Sequence, residues 1–136
     1  MKASEKLPVV ESGEEYPGSK PLLLIVGMNQ NEIDMLARWL ENEGFETQRI
    51  YRPEEIAKSI RRKKAGAALI DITGFDQSIW KHASTLRDAE IPFIVIAPQR
   101  SPTVQRDSIA SGANGLLVKP VRAEELSQHI HTMLGD

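Results

Sequence analysis

Between residues 22 and 118 the chain repeats one arrangement: a short unbroken apolar run, a turn, then apolar residues spaced three and four apart. The runs are LLLIV (22–26), AALID (67–71), IPFIVIA (91–97) and NGLLV (114–118), with the more loosely alternating FETQRI (45–50) after the first. A strand that is apolar at consecutive positions must be covered on both faces, which is the situation of a parallel sheet between two layers of helix. Helical spacing follows in Ile33, Leu36, Ala37 and Leu40, in Ile79, Trp80, Ala83 and Leu86, and in Leu126, Ile130, Met133 and Leu134. Five strand–helix units in alternation therefore predict an α/β protein with a parallel sheet, helices on both faces and right-handed crossovers.

The punctuation agrees with this plan. Asn29 can cap a first helix, with Glu32 three residues on in a variant of the capping box, and Gly44 ends that helix. Pro53, Glu54 and Glu55 open a second helix that Arg61, Arg62, Lys63 and Lys64 close, the charge order that a helix dipole favours. Ser101-Pro102 supplies a cap and a first-turn proline for a fourth, which Gly112 stops. With 136 residues, one domain is expected, over 21–136. Residues 1–20 are rich in Glu, Ser, Gly, Pro and Lys and show no periodicity, which predicts a disordered tail.

A net charge of −2 supplies no field to recruit nucleic acid or a membrane surface. The absence of cysteine excludes disulfides, thiolate metal sites and cysteine nucleophiles. The N-terminus lacks the apolar core of a secretory signal and no apolar run reaches membrane-spanning length, so a cytoplasmic location is expected.

In an open parallel sheet, function gathers beyond the carboxyl ends of the strands, where the strand order reverses. The residues there are Gly27-Met28, Asp71 with Ile72-Thr73, Ala97-Pro98 and Lys119-Pro120, and among them only Asp71 and Lys119 carry charge. Ending strands near the middle of one sheet, these two are expected to form an ion pair. The turn from Gly27 to Gln30 offers no acid, base or hydroxyl, and Gly27 has no phosphate-cradling glycine pattern around it. No catalytic constellation is visible, and a non-enzymatic role is expected. His129 and His131, two apart on a helix, do not share a face and make a poor metal pair. His82 reads as solvent-facing, Trp39 and Trp80 as packing residues, and the Arg61–Lys64 run as a solvated helix end.

This constellation resembles the receiver domain of two-component response regulators, over about residues 22–136. LLLIV, the helix ending ENEGFE, LID with Asp71, the proline-led IPFIVIA and, most specifically, GANGLLVKP carry the resemblance. It implies a flavodoxin-like (βα)5 sandwich with strand order 2-1-3-4-5. Asp71 then falls at the phosphoacceptor position, Lys119 at the invariant lysine, and Lys119-Pro120 at a cis peptide. The implied partner is a protein, either a histidine kinase or an output domain, and a homodimer through the fourth helix, fifth strand and fifth helix is possible. On that face stand Gln105, Arg106, Arg122, Glu124, Glu125 and Gln128.

The departures from the family pattern bear on mechanism. The two carboxylates that receivers carry after the first strand are replaced by Gly27 and Met28. The hydroxyl ending the fourth strand is replaced by Ala97, and the switch aromatic of the fifth strand by Leu116. Mg²⁺ needs oxygen ligands in near-octahedral geometry, and only Asp71 and the backbone oxygen of Thr73 would remain. Losing metal ligands, hydroxyl and ring together points to a degenerate pseudo-receiver that uses no cofactor and acts by protein–protein interaction. Asp71 would then neutralise Lys119, with the flexible Met28 filling the vacated space. Two alternatives stand beside this: a working phosphoacceptor that binds Mg²⁺, and a flavodoxin-like domain binding a small molecule.

Overall fold

The computed structural model describes residues 20–135; the tail expected over residues 1–20 lies, apart from Lys20, outside the described residues. Five strands and five helices alternate: β1 (Leu22–Val26), α1 (Gln30–Asn42), β2 (Glu46–Ile50), α2 (Glu55–Arg62), β3 (Ala67–Asp71), α3 (Ile79–Asp88), β4 (Phe93–Ala97), α4 (Pro102–Ser111), β5 (Gly115–Val118) and α5 (Ala123–Leu134). All neighbouring strands are parallel, in the order β2-β1-β3-β4-β5. The flavodoxin-like order implied by the family resemblance is the one adopted.

The unbroken apolar runs divide by the two-residue period of a strand. Leu22, Leu24 and Val26 face one way with Ala68, Ile70, Phe93 and Val95, against Ile56 of α2 and Ile79, Ala83 and Leu86 of α3. Leu23 and Ile25 face the other way with Leu69, Ile94 and Ile96, against Ile33, Ala37 and Leu40 of α1 and Leu126 and Ile130 of α5. Each fully buried Leu or Ile adds about 2 kcal/mol relative to exposure, so both faces of β1, β3 and β4 are pinned in register. β2 is the polar edge strand, tied to α2 by Gln48 Nε2 donating to Ser59 Oγ (2.9 Å) and by a Lys63–Glu46 ion pair (2.8 Å).

Local signals place the turns. Asn29 Oδ1 accepts from the Glu32 amide (3.0 Å) and Ser101 Oγ from the Val104 amide (3.3 Å), starting α1 and α4. Gly112 closes α4 at φ +98°, a left-handed conformation that side chains resist. Pro53 and Glu54 lie in the turn before α2, which spans Glu55–Arg62. The chain leaves β1 for the edge strand β2 and then crosses back to β3, so the topological switch point lies between β1 and β3. Gly27 and Asp71 stand at that point.

Candidate functional site

Asp71 ends β3 and is 8% exposed, so its carboxylate requires partners. It has two. Oδ1 accepts from the Thr73 amide (3.0 Å), and Oδ2 accepts from Lys119 Nζ at 2.8 Å. The pairing of Asp71 with Lys119 foreseen from the strand ends is therefore present. Lys119 follows β5, and its peptide bond to Pro120 is cis.

The ammonium does more than meet Asp71. Nζ also donates to Glu32 Oε1 (2.9 Å) and to the Thr73 hydroxyl oxygen (3.2 Å). A protonated lysine has three N–H donors, and here all three have acceptors. Burial works to lower the Lys119 pKa, but the hydrogen bonds and charges of Asp71 and Glu32 outweigh it and hold the ammonium above its ordinary value. Glu32 was expected at the helix start, as a capping residue. Its backbone amide takes the cap from Asn29, which frees its carboxylate to cross to Lys119. Its place in the first turn after β1, at the mouth of the switch point, is the signal that could have identified it. Asp76, the other nearby acid, stays out of the site; it accepts from the amide and hydroxyl of Ser78 and starts α3 (2.9 and 2.6 Å).

The space at the end of β1 is filled differently from the sequence expectation. Met28 does not occupy it: this side chain is 50% exposed and lies over Gly74, where an added Cβ would come within 2.9 Å of its sulfur. The occupant is Ile33, one turn into α1 and 2% exposed. A Cβ built on Gly27 would stand 2.4 Å from Ile33 Cδ1 and 2.7 Å from Cγ1. Helical phase explains the exchange, because position 33 points at the sheet whereas position 28 belongs to a turn beside solvent. Ala97 is fully buried at the end of β4, and Leu116 packs half-buried against the α2–α3 side of the core.

These residues do not fit a Mg²⁺ ion. Asp71 is committed to Lys119 and Thr73, Gly27 brings Ile33 where a carboxylate would stand, and Met28 and Ala97 offer no side-chain oxygen. Among the described residues no three His, Cys, Asp or Glu side chains are grouped to hold a metal. His82 is half-buried rather than solvent-facing; Trp39 and Trp80 pack on the core, and Arg61–Lys64 are exposed. His129 lies beside Gly115 while His131 meets the Phe45 ring, so the two histidines face different neighbours.

With this geometry in view, comparison with solved structures assigns the fold. A CheY-like receiver domain protein from Methanospirillum hungatei superposes with a TM-score of 0.77 at 24% identity, covering 85% of this chain and 94% of that one. A two-component response regulator from Clostridium difficile gives 0.77 at 21%, covering 85% and 96%. A response regulator from Burkholderia pseudomallei, holding a phosphorylated aspartic acid, a calcium ion and citrate, gives 0.75 at 21%, covering 83% and 68%. The fold is that of the response-regulator receiver domains. No protein-family model matches the chain, and no curated protein matches it. No helix among the described residues is long and apolar enough to cross a membrane.

Two predictions test this packing. Gly27→Asp should destabilise the fold by about 1–3 kcal/mol through overpacking, measured by urea denaturation. Ile33→Ala alone should cost about 2–5 kcal/mol, and the double variant should be more stable than the sum of the two losses implies, because the cavity accepts the new side chain. Lys119→Met, which strands a buried carboxylate, should cost about 2 kcal/mol at neutral pH. Because the folded Lys119 pKa is raised, its stabilisation is complete below the unfolded value of about 10.4 and is lost as pH rises through the folded value. Wild-type stability followed by urea midpoints should therefore fall in that alkaline window, and the Lys119→Met variant should lack this component.

Proposed function

We propose that this chain is a cytoplasmic, phosphorylation-independent receiver that works in two-component signalling as a protein-binding module. The observation that carries the reading is the saturated ammonium: all three Lys119 donors already have acceptors in Asp71, Glu32 and Thr73. A phosphoryl group arriving at Asp71 brings negative charge to a site whose one cation is already taken. Phosphoryl transfer depends on positioned charge neutralisation, and neither a fitting metal site nor a free donor at Lys119 is at hand to supply it. At Ala97 no hydroxyl reads a phosphoryl oxygen, and at Leu116 no ring carries the signal onward.

Regulation is then left to binding, and the face made by α4, β5 and α5 suits it. Ile109 stands 68% exposed on α4 beside a cleft of about 270 Å³ lined by Arg100, Gln105, Asn114 and Leu116. An exposed branched aliphatic ringed by polar groups fits the pattern of an apolar centre with a polar rim. The partner is a histidine kinase, an output domain or a second copy of this chain.

Mg²⁺ titration followed by tryptophan fluorescence, with acetyl phosphate treatment and intact-mass measurement, tests the chemistry. No saturable millimolar response and no gain of a phosphoryl group are expected. A Mg²⁺ response lost in Asp71→Asn would instead make Asp71 a metal ligand and the domain a working phosphoacceptor. For the face, Ile109→Glu should weaken capture of the cognate partner or self-association about tenfold or more while leaving the urea midpoint within error. Contacts mapped by cross-linking only to α1, β2 and α2, at the opposite edge of the sheet, would overturn that assignment.

A further inference from the structure

The Asp71–Lys119–Glu32 cluster forms one end of a groove between α1 and α5. Its first lobe, about 600 Å³, runs from Asp71 and Lys119 past Met35, Leu36, Val121 and Leu126; a second, about 380 Å³, continues to Trp39. Both lobes include Glu32. These volumes lie in the range of small-molecule sites, which join apolar walls to a few placed polar groups. Met35 is 65% exposed on the rim, an unbranched side chain able to adapt to a ligand.

The polar end of the groove selects the ligand. Two carboxylates and one ammonium leave a net charge of −1. Lys119 has spent its donors and Asp71 is buried against Lys119 and Thr73, whereas the exposed Glu32 carboxylate, with about four lone-pair sites, keeps some free beyond its contact with Lys119. The cluster can therefore accept hydrogen bonds and attract positive charge, but its lysine has no donor left for an anion. Arg122 lines only the second lobe, so a cationic head is favoured in the first, where Glu32 stands without it.

We propose that the groove binds a small organic cation, a protonated amine with an apolar body, its head on the free lone pairs of Glu32 and its body along Leu36, Val121 and Leu126. The proposal rests on the reading that no metal or phosphoryl group claims Asp71. Occupancy would cover the junction of α1 and the β5–α5 loop, giving a domain without phosphorylation a chemical input.

The test is a titration of the full chain at about pH 7, where the amine is protonated, with phenylbutylamine, phenylbutanol and phenylbutyrate, three probes of one shape and different charge. Amide shifts of Glu32, Leu36 and Val121 report binding. The amine should saturate these shifts about fivefold tighter than either other probe, the discrimination of a partly exposed charge contact. Glu32→Gln should remove most of that preference while leaving phenylbutanol binding unchanged. The proposal is overturned if the alcohol or acid binds as tightly as the amine, if the preference survives Glu32→Gln, or if no probe moves these amides at millimolar concentration. Acetyl phosphate separates the two failures: phosphorylation of Asp71 defeats the pseudo-receiver reading, whereas an absent amine preference without phosphorylation defeats this inference alone.

Discussion

Lys119 ties together three segments that are far apart in the chain. Its ammonium joins the end of β5 to the end of β3 through Asp71, to the following loop through Thr73, and to the first turn of α1 through Glu32. The backbone of β5 is held by pairing with β4, the backbone of β3 by β1 and β4, and α1 by its buried face. Because these frames are rigid, the three acceptors meet one cation at hydrogen-bonding distance without ordering a long flexible loop. An ion pair in such a place adds little when fully solvated, but with Asp71 buried its removal strands a charge. The site is therefore a structural junction as much as a chemical one.

The apolar side of the same junction is coupled to the ionic side. Gly27 lets Ile33 approach the strand end, so the position that carries a carboxylate in the receiver pattern is closed by packing as well as by substitution. The protein's own cation, Lys119, neutralises Asp71 there. What remains open is the lateral groove, where Met35 projects from α1 at the rim.

Much of this was legible in the residues. The alternation of unbroken apolar runs with helical spacing led to a doubly covered parallel sheet, and Asp71 and Lys119 stood out because no other charge ends a strand. Cap chemistry at Asn29 and Ser101 placed two helix starts correctly. The reading went astray where direction mattered more than position. Met28 is adjacent to the gap in sequence, yet its turn aims it outward. Glu32 looked occupied by a capping box, yet only its amide serves the cap. Both outcomes depend on where α1 sits over the sheet, which local pattern does not specify.

Order, hydrophobic phase and the chemical inventory of the strand ends belonged to the chain as written, since period and residue type are local properties. Which carboxylate meets the lysine, and which aliphatic side chain fills the hollow, were settled on folding. The partners are 87 residues apart in the case of Lys119 and Glu32, and their meeting follows from strand register and helix placement together. Sequence could name the groups present at the switch point; packing chose their company.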